Sequence, residues 1–338
     1  MNSEVNQRAG WVVGIDAGGT RTRAVLADAR DGRVFGEGEA GPGNALTVPG
    51  PELAAHLAEA VASAVPEAIR GRVLAVAGGF AGAARAPAEE RGRVRARAGL
   101  TAALARLGIT TAAVEVHSDI EAAFAGAPGH PADGLALVAG TGAVAARIEG
   151  RVLVATSGGD GWLLGDDGGG FWIGREAARA ALRAADGRGG PTVLTGSVGR
   201  ALGIAAGALP PAGGGFWAPD RRAAYRAQLL PAVLERPPVR LADLAPLVPD
   251  AAADQDVVAR AIIQEAVVHL ARTVAALRPR PGEALVVTGG LGAPDGPLLT
   301  PLTERLVGLT VVPVADGRAG AVALARLLTA GHRPREDP

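Results

Sequence analysis

Residues 11–22 read WVVGIDAGGTRT, an apolar run that ends in an acid, two glycines and two threonines. This pattern predicts a buried strand, a tight glycine turn and a second strand, because glycine permits the positive φ that such turns need. The mixed run Arg21 to Asp28, and the weaker run Arg33 to Ala40 after Asp31-Gly32, predict an antiparallel meander.

The same pattern begins again at Leu135. The run Leu135 to Ala139 ends in Gly140-Thr141-Gly142, and two strand-length runs follow at Ala143 to Ile148 and Arg151 to Ala155. Each half of the chain therefore opens with an apolar strand, a glycine–threonine turn and a meander. Two similar halves that face each other would leave a cleft, where ligands usually bind.

The remaining hydrophobic runs complete an α/β protein with mixed sheets flanked by helices. The glycine- and proline-rich stretch 126–134 suggests a boundary between a domain over 1–126 and a second over 127–317, the first completed by a C-terminal helix at about 318–332. Helices are predicted over Pro51–Val65 and Glu90–Leu107, from Asp119 onward and over Gly320–Leu328, and strands over Val73–Ala77, Val114–His117 and Ala284–Thr288.

The composition excludes several classes of protein and several kinds of binding site. The 338 residues carry a net charge of +0, so no basic field attracts nucleic acid or an anionic membrane. There is no cysteine, which excludes disulfides and thiolate-held clusters, and no lysine, which excludes a P-loop. Residues 1–10 are polar, without the apolar core of a secretory signal, and no apolar run reaches the roughly 20 residues of a membrane span. We expect a cytoplasmic protein.

The two glycine turns are candidate phosphate sites, because glycine lets backbone N–H groups approach an anion and threonine adds a hydroxyl donor. Asp16, at the end of the first strand, is a candidate Mg²⁺ ligand through water. Ordinary hairpins are the alternative, and the recurrence of the turn in the same setting favours function. The candidate phosphate-binding residues are Gly18, Gly19, Thr20 and Thr22 in the first turn and Gly140, Thr141 and Gly142 in the second.

Two further motifs follow predicted strands. Gly289 and Gly290 would permit close backbone approach to a flat ligand such as adenine, or they simply end the strand. Asp119, in His117-Ser118-Asp119, is either a helix N-cap or a general base for a sugar hydroxyl.

The stretch 158–176, GGDGWLLGDDGGGFWIGRE, concentrates glycines, three aspartates and two of the four tryptophans of a chain that is only 3% aromatic. Aromatic faces suit the C–H surfaces of sugars, and carboxylates accept from their hydroxyls. A flexible surface loop with locally packed tryptophans is the alternative. The composition favours a binding loop.

Taken in this order, the motifs resemble those of the acetate and sugar kinase/Hsp70/actin superfamily, and within it the N-acetylglucosamine kinase branch of the BadF/BadG/BcrA/BcrD ATPase family. The resemblance runs from Gly14 to about Leu328, and 158–176 is its most specific part. It implies two actin-like (ribonuclease H-like) domains around a central cleft. It also implies that the γ-phosphoryl group of ATP, with Mg²⁺, is transferred to a hydroxyl of an amino sugar. The first choice of acceptor is the 6-hydroxyl of N-acetylglucosamine.

The resemblance also assigns roles to residues. Residues 16–22 match the first phosphate motif, 140–142 the second, and Gly289-Gly290 the adenosine motif, while Asp119 falls where the family has its catalytic Asp. The expected sugar contacts are Asn44, Gly79, Asp119, Gly159 and Asp166.

Four departures from the family pattern leave the acceptor open. Asp167 replaces the usual Glu, and Gly169 replaces the usual Ser. Asp160 occupies a position where Trp is common. Gly79 lies in a segment that lacks the Ser that some relatives use towards the sugar. N-acetylmuramic acid or glucosamine are alternative acceptors.

Two other protein classes fit the sequence less well. An ATP-driven activase of the same family would need cysteines for its cluster. A sugar-sensing repressor would need a DNA-binding segment before Trp11. The oligomeric state stays open, with a homodimer as one option.

Overall fold

The computed structural model describes residues 10–83, 90–211 and 215–331. The first sheet is formed by strands β1 Trp11–Ala17, β2 Thr22–Asp28, β3 Val34–Ala40, β4 Val73–Phe80 and β5 Ala113–Ser118. Their order is β3-β2-β1-β4-β5. β1 pairs antiparallel with β2 and parallel with β4, so the sheet is mixed.

The second sheet is formed by β6 Gly134–Ala139, β7 Ala143–Glu149, β8 Val152–Gly158, β9 Ala284–Thr288 and β10 Thr310–Pro313. Its order is β10-β9-β6-β7-β8. If β6 to β10 are matched in sequence to β1 to β5, both sheets have the same strand order. The predicted repeat is therefore present in the fold. β10 was not predicted, because its four residues are only partly buried and carry no clear pattern.

Helices flank both sheets. They are α1 Gly50–Ala64, α2 Glu90–Arg106, α3 Asp119–Ala125, α4 Gly161–Leu164, α5 Gly170–Asp186, α6 Leu194–Ala201, α7 Pro219–Leu234, α8 Leu247–Ala253, α9 Val257–Ala275, α10 Leu299–Arg305 and α11 Arg318–Gly331, with 3-10 helices at Glu67–Arg72 and Pro238–Leu244. These elements confirm the predicted α/β class.

The chain divides into two compact units. The first unit takes the described residues within 1–136, 146–155 and 314–338, and the second unit takes those within 137–145 and 156–313. In the first unit α11 packs on β1 so closely that a Cβ on Gly14 would lie 2.5 Å from the backbone nitrogen of Val322. Residues 1–9, and position 332 at the end of the predicted C-terminal helix, lie outside the described residues. Among the described helices, none combines the length and apolarity needed to cross a membrane.

Candidate functional site

The first turn, residues 18–21, connects β1 to β2. The Gly18 N–H donates to the carbonyl oxygen of Arg21 at 2.9 Å. Gly19 and Thr20 are exposed at the tip, and their N–H groups have no hydrogen-bond partner among the described residues. Neither Gly18 nor Gly19 has the positive φ that was expected of this turn. Adjacent backbone donors in a turn can still bind an anion, so the turn can hold a phosphate.

Thr22 is completely buried at the start of β2. Its Oγ1 has no partner in the described part of the chain, and a Cβ on Gly43 would lie 2.5 Å from that oxygen. The Gly43 N–H donates to the carbonyl oxygen of Gly18 at 2.9 Å. Thr22 therefore packs beneath the loop beside the first turn, and its contact with a phosphate stays a prediction that this conformation does not favour.

Asp16 lies at the end of β1, close to the segment that precedes α11. Nη1 of Arg23 lies 3.0 Å from Oδ2 of Asp316 and 3.7 Å from Oδ2 of Asp16. Burial, and then the neighbouring Asp316 carboxylate, raise the pKa of Asp16 above its ordinary value, while Arg23 and the Gly317 N–H oppose the shift.

This donor set is compatible with Mg²⁺. Asp16 and Asp316 supply hard carboxylate oxygens, and Mg²⁺ commonly takes one or two carboxylates while it keeps several waters. Among the described residues, no group of three or more His, Asp or Glu side chains could enclose an ion. A magnesium ion at Asp16 would therefore depend on water and substrate phosphates for its other ligands.

Asn44 lies in the loop after β3 and stabilises that loop. Its Oδ1 accepts hydrogen bonds from the N–H groups of Leu46 at 2.9 Å and Thr47 at 3.2 Å. Its side-chain amide has no further partner among the described residues. The Asn44 side chain therefore stabilises its own loop through Oδ1, and its Nδ2 donors stay available to a ligand.

Asp119 is the first residue of α3, and Ser118 is the N-cap. The Ser118 hydroxyl accepts from the Glu121 N–H at 3.1 Å, and the Glu121 carboxylate accepts from the Ser118 N–H at 2.8 Å. Because this capping box does not use the Asp119 side chain, Asp119 is not the cap. Its carboxylate, which is partly exposed, accepts from the Ile120 N–H at 3.0 Å.

Gly79, in β4, is buried against the Asp119 turn. A Cβ on Gly79 would lie 2.3 Å from Cβ of Ala122 and 3.4 Å from Cα of Asp119. The structure thus gives Gly79 a packing role, and a direct sugar contact from Gly79 stays a prediction.

The second turn, residues 140–142, lies in the second unit between β6 and β7. The N–H groups of Thr141 and Gly142 have no hydrogen-bond partner among the described residues, as in the first turn. The N-terminus of α5 holds the turn, because the Gly170 N–H donates to the Gly140 carbonyl oxygen at 2.8 Å and the Phe171 N–H donates to that of Thr141 at 2.9 Å. This turn can also hold an anion.

Asp166 packs against the second turn. Its Oδ1 accepts from the Ala143 N–H at 3.2 Å, and a Cβ on Gly142 would lie 2.6 Å from its Oδ2. Burial raises the pKa of Asp166, the Ala143 N–H opposes the shift, and the Asp160 and Asp167 carboxylates add to it. Its φ of 58° is left-handed, a conformation that Asp tolerates better than most residues.

The departure at Gly169 has a steric reason. A Cβ on Gly169 would lie 2.7 Å from the carbonyl carbon of Gly142. Any larger residue, including the serine of the resembled pattern, would have to displace the second turn.

The aromatic residues of the loop differ in exposure. Trp172 is buried and packs edge-on against His269, with ring centroids 5.0 Å apart, so it contributes to the core. Trp162 is 39% exposed and packs on Phe171 at 5.4 Å. Gly159 is exposed with φ +78°. Among the aromatic residues of this loop, Trp162 is thus the one that can face a ligand, and the Gly159 backbone is accessible as well.

A cavity of about 650 Å³ in the second unit adjoins the second turn. It brings together Gly140, Thr141 and Gly290, three of the residues predicted to bind nucleotide. Added Cβ atoms on Gly140 and Gly290 would meet open space, whereas Gly289 has φ +89° and a Cβ there would lie 2.5 Å from the Ala139 carbonyl oxygen. Gly289 therefore shapes the turn, and Gly290 faces the cavity.

No sequence motif predicted the other wall of this cavity. That wall comes from the second 3-10 helix and α8, and Asp250 is the one acid among the lining residues. Asp316 and Gly317 were also missed, although an Asp-Gly pair between a short strand and an apolar helix could have indicated them. The remaining cavity residues not predicted are Gly170, Ala242, Ala245, Pro246, Pro249, Leu291 and Pro297.

The model of the BadF/BadG/BcrA/BcrD ATPase family matches residues 13–325. The N-acetylmuramic acid/N-acetylglucosamine kinase of Clostridium acetobutylicum is 31% identical over 194 residues, which are 56% of this chain and 58% of that protein. The chain thus matches somewhat more than half the length of this curated relative.

Two solved structures, each provisionally assigned as an N-acetylglucosamine kinase, have a similar fold. The protein from Porphyromonas gingivalis has a TM-score of 0.69 at 20% identity, covering 94% of this chain and 99% of that one. The protein from Chromobacterium violaceum has a TM-score of 0.65 at 23% identity with the same coverage. At this identity the likeness concerns the fold, and it confirms the predicted two-domain α/β architecture.

Proposed function

This chain belongs to the BadF/BadG/BcrA/BcrD ATPase family, and we propose that it is a kinase that transfers the γ-phosphoryl group of ATP to a hydroxyl of an amino sugar. The observation that carries the proposal is the pair of turns. Gly19-Thr20 and Thr141-Gly142 each present two adjacent backbone N–H groups without a partner among the described residues. Phosphoryl transfer depends mainly on positioning and on stabilising phosphate charge, which such donors supply.

The nucleotide is proposed to bind with its phosphates at the second turn and its nucleoside in the 650 Å³ cavity. Apolar walls suit the faces of adenine, and Gly290 allows close approach because a Cβ there would meet open space. Mg²⁺, for which the Asp16 and Asp316 carboxylates supply suitable oxygens, would neutralise charge on the phosphates.

Asp119 is proposed as the general base. It is partly exposed, its turn is fixed without using its own side chain, and its position follows a parallel strand of the sheet. Its carboxylate takes the proton of the acceptor hydroxyl as that oxygen bonds to the γ-phosphorus and ADP leaves. The side-chain amide of Asn44, Gly159 and the Asp166 carboxylate are the proposed sugar contacts.

N-acetylglucosamine, phosphorylated at its 6-hydroxyl, is the first proposed acceptor. N-acetylmuramic acid is the second, because the Clostridium acetobutylicum relative is named for both sugars. The two differ by a lactyl ether at the 3-position, so they test whether the site admits a bulky, charged group there.

The test is ADP release from ATP and Mg²⁺ with N-acetylglucosamine, N-acetylmuramic acid, glucosamine and glucose as acceptors. We expect sugar-stimulated turnover with at least one N-acetylated sugar. Asp119→Asn keeps the shape of the side chain and should lower kcat by about 10²–10⁴-fold. No stimulation by any amino sugar would overturn the proposal, and near-normal turnover of Asp119→Asn would remove Asp119 from the mechanism.

A further inference from the structure

We infer that Glu121 is a positioning residue that fixes the turn carrying Asp119, an inference that rests on the proposed role of Asp119 as general base. Glu121 is 3% exposed, and both of its carboxylate oxygens accept hydrogen bonds from backbone N–H groups. Oε2 accepts from Ser118 at 2.8 Å, and Oε1 accepts from Leu153 in β8 at 2.8 Å. One buried carboxylate thus ties the start of α3 to Leu153, which belongs to the same unit.

These hydrogen bonds stabilise a charge that burial would otherwise make costly. The nearest histidine ring does not replace them, because Nδ1 of His117 lies 4.0 Å from Oε2 of Glu121 and its Nε2 lies 3.2 Å from Glu115. Glutamine at position 121 has the same size, but it has one carbonyl oxygen and an NH₂ group. It can accept from only one of the two N–H groups, and its NH₂ would face the other donor.

Close packing against β4 limits how far the turn can shift towards that strand. Gly79 already lies so close that a Cβ there would be 2.3 Å from Cβ of Ala122 and 3.3 Å from the carbonyl oxygen of Ser118. Packing against Gly79 and the Glu121–Leu153 hydrogen bond therefore both hold the Asp119 turn. Loss of that bond should shift Asp119, and a displacement of about 1 Å can lower a reaction rate by roughly 10²-fold.

The experiment compares Glu121→Gln with wild type and with Glu115→Gln, a control that removes a half-exposed carboxylate three residues before Ser118. It measures kcat, KM for ATP and sugar, and the ratio of ADP formed to sugar phosphate formed. A misplaced base slows transfer to the sugar more than transfer to water, which yields ADP and phosphate. We expect Glu121→Gln to have a kcat lower by about 10–100-fold, both KM values within about 3-fold, and a ratio above one.

A merely structural role would not change this ratio, because unfolded protein forms neither product. If Glu121→Gln does not fold, Glu121→Asp keeps the charge on a shorter side chain that reaches only one N–H, and it should raise the same ratio. A normal kcat with a ratio of one in the folded variant overturns the inference while the kinase assignment stands. A wild-type protein without sugar-dependent turnover overturns the proposed function, and this inference with it.

Discussion

Gly174 approaches the carbonyl oxygen of Leu241 so closely that a Cβ on residue 174 would lie 1.9 Å from that oxygen. Gly174 lies in the first turns of α5, the helix whose N-terminus holds the second turn. The residue after Leu241, Ala242, lines the cavity beside that turn. The absence of a side chain at position 174 therefore sets the distance between α5 and one wall of the proposed nucleotide site.

Gly174→Ala should destabilise the protein and weaken ATP binding. Replacing glycine with alanine in a helix interior normally stabilises the folded protein by about 0.5–1 kcal/mol. At position 174, however, the overpacking should cost about 1–3 kcal/mol of folding stability. Thermal unfolding and calorimetric titration with ATP measure the two effects. Gly190→Ala, where a Cβ meets open space, is the control. A Gly174→Ala protein as stable as wild type would show that the 3-10 helix can move away.

Thr141→Val and Gly290→Val should weaken ATP binding more than sugar binding. Thr141 is exposed beside the cavity and would lose a hydroxyl donor to a phosphate, worth about 1.5–3 kcal/mol or roughly 10–150-fold in affinity. Valine at 290 would project into space that is open in this structure. Calorimetry with each ligand separates the effects, and a larger loss for the sugar would mean that the two ligands are wrongly placed.

The strand, turn and meander that open each half, the two glycine turns and the Gly289-Gly290 motif could be predicted because each depends on residues close in sequence. β10 could not, because its four residues carry no clear pattern. The burial of Thr22 could not be predicted, because it depends on Gly43, which packs on it from another loop. The packing of Gly79 could not be predicted either, because it depends on contact with α3. Asp250 was missed because it belongs to a helix whose sequence has no motif and which meets the second turn only in the folded chain.

Asp250→Ala should alter nucleotide selection. A carboxylate only accepts hydrogen bonds, and a nucleoside in this cavity offers it ribose hydroxyls. We expect KM for ATP to rise by about 10–100-fold, since hydrogen bonds to a charged group contribute roughly 1.5–3 kcal/mol, and the preference for ATP over 2′-deoxy-ATP to shrink. Asp254→Ala, just beyond α8 and outside the cavity lining, is the control. An unchanged preference would place the ribose elsewhere.

Asp166→Asn should raise KM for the sugar by about 5–50-fold, because a neutral amide accepts a hydroxyl less strongly than a carboxylate does. Asparagine is a better probe than alanine here. It tolerates the left-handed φ of 58°, and its oxygen can still accept from the Ala143 N–H. A sugar KM equal to that of wild type, in a variant with an unchanged ATP KM, would limit Asp166 to holding its own loop.

The same substitution should change how stability depends on pH. Because burial and the Asp160 and Asp167 carboxylates raise the pKa of Asp166 above 3.8, the folded state binds this proton more tightly than the unfolded chain does. Its stabilising contribution is therefore complete below about pH 3.8 and is lost as the pH rises through the higher folded pKa. Asparagine resembles the protonated acid, so Asp166→Asn should have a higher Tm than wild type at pH 7, and the difference in Tm should shrink as the pH falls towards 4.

Thermal unfolding of both proteins between pH 4 and pH 8 measures this difference in Tm. Asp295→Asn, in an exposed loop, is the control for the loss of one negative charge. A Tm difference that stays constant over this range would mean that the charge on Asp166 is fully compensated in the folded loop.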